Sequence, residues 1–113
     1  MEESVAADML SALAHPVRLG LFRALVAVGP DGESAGALAG KLETPPSTLS
    51  HHLSVLERMG LISHKRQQRN LIYSAEHAAI KELMNFLVID CCGGRPELCG
   101  HAASLPVQEE QTA

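Results

Sequence analysis

A short polar helix followed at once by a basic hairpin is the feature that most narrows the fold of this sequence. Pro46 suits the first turn of a helix, and Gly60 suits the position just after a last turn. Leucines between them recur at helical spacing, which predicts a buried stripe. That stripe is Leu49, Leu53 and Leu56, and the opposite face carries Ser47, His51, Ser54 and Arg58.

The segment after Gly60 predicts a β-hairpin. Residues 61–62 and 71–73 are β-favouring runs, and the tip between them is polar and basic, from Gln67 to Asn70. A short helix before Pro46, capped by Ser34, completes a helix-turn-helix. The predicted fold is therefore mainly α with a small β-hairpin, a winged helix-turn-helix of about five helices plus the wing.

The remaining helices predict a second subunit. We expect helices over about residues 5–14, from Pro16 to the turn at residues 29–32, and over about residues 76–89. Their apolar stripes are predicted to be Ala6, Met9, Leu10 and Leu13 in the first, Leu19, Phe22, the stem of Arg23 and Val26 in the second, and Ile80, Leu83, Met84, Leu87 and Val88 in the last. The last stripe is wider than one small core needs, which predicts a homodimer.

The distribution of charge points to double-stranded DNA. The net charge is −4, but residues 41–70 hold five basic and two acidic side chains, a net charge of +3. A local basic region can bind phosphate whatever the total charge. In a helix-turn-helix the second helix enters the major groove, where Ser47, Thr48, Ser50 and His51 would approach base edges. Lys65, Arg66 and Arg69 on the wing would contact the DNA backbone or the minor groove.

Two of these assignments have plain structural alternatives. Ser47 and Thr48 would serve equally well as helix caps without touching DNA. His52 lies beside the leucine stripe, so a packing function competes with a phosphate contact.

Three cysteines, the only ones in the chain, lie together at Cys91, Cys92 and Cys99. No apolar run reaches the roughly 18 residues of a membrane span, and the N-terminus lacks a basic-then-apolar export signal. We therefore expect a cytoplasmic protein without a membrane partner, in which clustered thiols bind metals or sense redox state. Three thiolates suit As(III) or Sb(III), which favour three soft ligands. The predicted domains are residues 1–92, for DNA binding and dimerisation, and residues 93–113, an inducer-binding loop and mobile tail.

Other uses of these thiols stay open. Cadmium, lead or zinc would bind thiolates, zinc with His101 as a fourth ligand, and Cys92 with Cys99 would form a disulfide. A metal carrier or thiol reductase is the alternative outside regulation, although the sequence lacks a thioredoxin-like Cys-x-x-Cys or a cofactor fingerprint.

The stretches "LAHPVRLGLFRAL" and "LSHHLSVLERMGLISHKRQQRNLIYSA" resemble the ArsR/SmtB family of winged-helix repressors over roughly residues 8–90. The resemblance implies a non-enzymatic repressor that forms a homodimer through its first and last helices and leaves its operator when an inducer binds. It implies DNA contacts at Ser47, Thr48, Ser50, His51, His52, Arg66 and Arg69.

The inducer site is assigned by comparing arrangements within that family. The first helix of the helix-turn-helix has no cysteine pair, and the second helix of the chain has no cysteine for a redox pair. His77, Glu82 and Asp90 match a zinc site on the last helix poorly. Cys91, Cys92 and Cys99 resemble the site of arsenic repressors whose three cysteines follow the last helix.

Overall fold

The computed structural model describes residues 1–90, so the three cysteines and the predicted second domain lie outside the described residues. Its helices are α1 (Glu3–Leu13), α2 (Pro16–Val28), α3 (Ala35–Lys41), α4 (Pro46–Arg58) and α5 (His77–Asn85), and a π-helical turn, Phe86–Asp90, continues α5. Its strands are β1 (Glu33–Ser34), β2 (Ile62–Gln67) and β3 (Asn70–Ala75). The predicted winged helix-turn-helix is confirmed.

Local signals in the sequence fix where the helices begin and end. His15 caps α2, since its Nδ1 accepts a hydrogen bond from the Val17 N–H at 3.2 Å, and Pro16 follows at the first helical position. Ser34 caps α3 by accepting from the Ala37 N–H at 3.1 Å. Gly60 follows α4 with φ of 77°, the left-handed conformation that glycine adopts without strain.

The core is built largely from leucines of α2, α3, α4 and α5 and of the segment that leads into β2. The most deeply buried side chains are Leu21, Leu25, Leu38, Leu49, Leu53, Leu56, Leu61, Ile62 and Leu83. The predicted stripe of α4 is confirmed, but that of α2 is wrong at three of its four positions. Leu19, Arg23 and Val26 are exposed, and α2 buries Leu21 and Leu25 beside the predicted Phe22. Because α2 itself carries apolar side chains on all of its faces, the spacing of its apolar residues did not identify the face that is buried.

A three-stranded antiparallel sheet of order β1-β3-β2 forms the wing and its base. The predicted hairpin is confirmed, with Gln67 opposite Asn70 and a two-residue turn at its tip. Strand β1 was not predicted; it pairs Glu33 with Tyr73 and Ser34 with Ile72.

Apolar side chains remain exposed on the first and last helical segments. Val5 and Leu10 of α1 and Leu87 after α5 are 40–47% exposed. The prediction of Leu10 as a core residue is therefore wrong for the isolated protomer. Among the described residues no single helix is long and apolar enough to cross a bilayer, although α1 and α2, bent by 96°, pass that test when taken together.

Candidate nucleic-acid interface

The turn between α3 and α4 sets where the second helix of the helix-turn-helix begins. The Thr44 N–H donates to the Ala39 carbonyl and the Thr44 hydroxyl to the Leu42 carbonyl, each at 3.0 Å. Glu43 takes a φ of 50°, which reverses the chain without a glycine. These contacts satisfy carbonyls at the end of α3 and direct the chain into α4.

The exposed face of α4 carries the predicted DNA-reading side chains. Ser47, Thr48, Ser50 and His51 are all exposed, while the leucine stripe anchors the opposite face in the core. The cap residue of α4 is Pro45, which makes no side-chain capping bond. Ser47 and Thr48 lie inside the helix, so the capping alternative does not describe them. Their backbone N–H groups belong to the helix N-terminus, which favours phosphate.

His52 differs from the other predicted DNA-contact residues because it is buried, with 6% of its surface exposed. Its Nδ1 lies 3.4 Å from Arg18 Nη1, and its ring lies 4.7 Å from that of His15. Burial, and then the charges of His15, Arg18 and His51, lower the pKa of His52 below 6.5. These contacts favour the packing function of His52 over a phosphate contact.

Arg18 is the residue that the sequence analysis missed. Its Nε donates to the Ala12 carbonyl at 2.7 Å, in the last turn of α1. The guanidinium thus contacts both α1 and α4 from α2. Its inward position could have been predicted from helical spacing, because Arg18 lies on the same face of α2 as Leu21, Phe22 and Leu25.

The wing presents its basic residues to solvent beside α4. Lys65, Arg66 and Arg69 are exposed. His64 at the base of the wing binds Glu57 of α4, with Nδ1 2.6 Å from Oε2, and its ring lies 5.3 Å from that of Tyr73. The helix and the wing are thereby tied together at one end.

One basic residue in this region, Lys41, has its charge offset by a neighbouring carboxylate. Lys41 pairs with Glu33 at 2.5 Å, so it adds little to a phosphate-binding surface. The exposed cations that can neutralise phosphate are therefore Arg58 at the end of α4 and Lys65, Arg66 and Arg69 on the wing.

Residues 1–90 contain no group of three histidine, cysteine, aspartate or glutamate side chains placed to hold a metal ion. Within that part of the chain, His77 and Glu82 do not form the core of a zinc site. The predicted ligands Cys91, Cys92 and Cys99 lie beyond it.

Comparisons with known proteins agree with this architecture. Residues 13–64 match a helix-turn-helix domain family. The nodulation protein NolR of Rhizobium meliloti is 35% identical over 86 residues, which cover 76% of this chain and 68% of NolR. The biofilm growth-associated repressor of Xylella fastidiosa strain Temecula1 is 34% identical over 87 residues, 76% of this chain and 73% of that repressor.

A solved structure extends the likeness across most of the fold. The ArsR-like transcriptional regulator from Rhodococcus sp. RHA1 superposes with a TM-score of 0.69 over 89% of this chain and 91% of its own. At 23% identity this likeness supports the fold alone.

Proposed function

This chain belongs to the ArsR family of winged helix-turn-helix transcriptional regulators, and from that membership we propose that it is a homodimeric repressor released from operator DNA by an inducer. Its relatives are DNA-binding regulators, so it is a regulator and not an enzyme. The repressor assignment follows the Xylella relative. If adding the protein increased transcription from its operator, the chain would be an activator and the repressor assignment would be wrong.

The observation that carries the DNA-binding proposal is the joint exposure of the α4 face and the wing. Small polar side chains at the start of α4 can approach base edges closely. The wing cations lie beside that helix and can bind the phosphates that flank the groove. A core of leucines and the contact between Glu57 and His64 hold the two parts in one orientation.

The proposal is tested first on the α4 face. We expect Ser47→Ala and His51→Ala to reduce the preference for operator over random duplex, each by about 1–3 kcal/mol, the range for a lost base contact. The operator is the duplex that the purified protein selects from a random pool. Arg23→Ala, at an exposed residue on α2 outside α4, the wing and the helices of the expected dimer interface, is the control. Unchanged preference in both α4 variants would place base recognition elsewhere.

The wing is tested by salt dependence. Arg66→Ala and Arg69→Ala should weaken binding to all duplexes alike and lower the slope of log affinity against log salt by about 1 each. Arg23→Ala, which removes the same charge from an exposed site on α2, is the control. A change in base preference instead of slope would contradict the backbone assignment.

For the inducer we propose As(III) or Sb(III) bound by Cys91, Cys92 and Cys99. The support is chemical: three thiolates match a three-coordinate soft centre, and two successive glycines, 93 and 94, are residues whose backbone freedom would permit all three sulfurs to bind one ion. The described residues supply no competing site of three ligands. Ordering this loop next to the last helix would couple inducer binding to the dimer, and a coupling of about 1–3 kcal/mol is typical.

The inducer proposal is tested by titrating operator release with arsenite, antimonite, cadmium, lead and zinc. We expect release by As(III) or Sb(III) at one ion per protomer, three sulfur neighbours by X-ray absorption, and loss of response in Cys91→Ser, Cys92→Ser and Cys99→Ser. Each variant should bind operator normally without inducer, because residues 1–90 contain no cysteine. A nitrogen ligand would favour zinc with His101. Release by oxidant alone would favour a disulfide, and full response in the triple serine variant would exclude the site.

A further inference from the structure

The arginine and histidines behind α4 form a connected group that DNA binding by the exposed face does not explain. Arg18 contacts Ala12 of α1 through Nε and His52 of α4 through Nη1. The ring of His15 lies against His52, and the rings of His51 and His52 are 5.5 Å apart. One guanidinium therefore joins the end of α1 to the middle of the helix proposed to read DNA.

The geometry fixes which protonation state of His52 the bridge requires. Arginine has only donors, so His52 Nδ1 accepts and carries no proton. The imidazole is therefore neutral, with its proton on Nε2. A second proton would be placed on Nδ1, where it faces the guanidinium at the position now 3.4 Å away. Two hydrogen-bond donors and two positive charges, those of Arg18 and His52, would then face each other, and the contact would break.

We propose that Arg18 and His52 form a positioning bridge that fixes α4 relative to α1, and that protonation of His52 opens it, so that acid lowers the preference of the protein for its operator. This inference rests on the proposed function, because it assumes that α4 reads DNA. Arg18 and His52 act through α4 and touch no base.

Within residues 1–90, the groups that act on the pKa of His52 include no carboxylate. The groups that act on its pKa are His15 and Arg18 from α2 and His51 from α4, and all of them are cationic when protonated. On α1, the Ala12 carbonyl accepts a hydrogen bond from Arg18, and Glu3 and Asp8 are exposed. Lys41 of α3 pairs with Glu33, and His64 of β2 pairs with Glu57. Lys65 and Arg66, also on β2, are exposed.

The sign of the pH effect follows from the lowered pKa of His52. Below pH 6.5 the unfolded chain takes up a proton that the folded chain resists. The stability contributed by the neutral imidazole is therefore present above 6.5 and declines as the pH falls through that value toward the folded pKa.

Non-specific electrostatics predicts the opposite trend, which makes the test sharp. Acid raises the net positive charge of the protein as a whole and so strengthens binding to any duplex. The measured quantity is therefore the ratio of affinities for operator and for random duplex of equal length, at fixed ionic strength. We expect it to fall between about pH 7.5 and about pH 5.5, and by about tenfold once His52 is fully protonated, the loss expected for one hydrogen bond to a charged group.

Substitutions separate the bridge from a packing effect. His52→Asn presents an acceptor that cannot be protonated, so its ratio should be the same at both pH values. Arg18→Lys keeps the charge but lacks the planar fork that reaches two acceptors, so its ratio should be low at about pH 7.5 with the fold retained by circular dichroism. His15→Asn keeps a good helix cap and should leave the acid loss of the wild type in place.

Each failure has a distinct meaning. If the wild-type protein prefers no duplex, both the DNA-binding proposal and the proposed effect of the bridge are wrong. If Ser47→Ala lowers the ratio but the ratio is independent of pH, or if His15→Asn rather than His52→Asn abolishes the acid loss, the bridge alone is overturned. A lower melting temperature in Arg18→Lys with an unchanged ratio would also overturn it, because the contact would then be structural only.

Discussion

Tyr73 reports on the junction between the wing and α4, and it is the only tyrosine in a chain without tryptophan. Tyr73 is a buried residue of β3 in the wing, and its ring centroid lies 5.3 Å from that of His64, whose partner is Glu57. Burial, and then the negative charge of Glu57, raise the pKa of Tyr73 above 10.0. The pKa of Tyr73 therefore reports on the contact between the wing and α4.

At the residue scale we expect spectrophotometric titration to give one phenolate transition above pH 10.0. Glu57→Gln should lower that pKa only part of the way, because burial remains the larger cause. Stability should decline as the pH rises above 10.0, since the unfolded tyrosine loses its proton first. Glu43→Gln, which removes an exposed carboxylate from the turn before α4, is the control. A wild-type pKa at or below 10.0, or no effect of Glu57→Gln, would contradict this account of the junction.

At the scale of elements, the small sheet depends on one close approach at Gly32. Its φ is 77°, and a Cβ there would lie 2.5 Å from the Tyr73 carbonyl oxygen and 2.9 Å from Ile72 Cγ2. Strand β1 follows directly and pairs with the same two residues of β3. Only glycine lets β1 dock on the outer edge of the wing in this conformation.

We therefore expect Gly32→Ala to lower the free energy of unfolding by about 1–3 kcal/mol, from left-handed strain together with displacement of β1. Gly20→Ala is the matched control, because a Cβ there meets nothing within 4 Å and the residue lies inside α2. Alanine in that helix should stabilise by up to about 1 kcal/mol. Urea denaturation of both variants at one protomer concentration measures the difference. Equal effects of the two substitutions would show that β1 does not depend on the close approach.

The same elements show what a sequence can predict. Pro16, Ser34, Pro46 and Gly60 act within one helical turn, so the bounds they set could be predicted. Which face of α2 is buried depends on its packing against α1, α4 and β3. The sequence of α2 is apolar on all faces, so it could not predict that face. Strand β1 has two residues and no alternating pattern. The exposure of the α4 face followed from its spacing, whereas the contact of Arg18 with His52 joins residues 34 positions apart.

At the scale of the whole molecule, the first and last helical segments carry exposed apolar side chains that we expect a second copy to cover, and Leu19 and Val26 of α2 are exposed as well. Val5 and Leu10 belong to α1, and Leu87 follows α5. Small domains bury a limited share of their surface when alone, so association adds stability that one core cannot supply. A two-fold dimer would also present two copies of α4 at a fixed spacing, which is what two half-sites of an operator require.

We expect Val5→Glu and Leu87→Glu to convert the dimer into a monomer, because each places a charge where the partner would bury an apolar side chain. The monomer should bind the operator about 100-fold more weakly or worse, since the two reading helices lose their linkage. Sedimentation across protomer concentrations measures the assembly, and gel shifts measure affinity. Ala37→Glu, an exposed apolar residue on α3, carries the same charge without touching the proposed interface and should stay dimeric. Dimers in both test variants, or monomers with unchanged operator affinity, would rule out an α1 and α5 interface as the source of operator recognition.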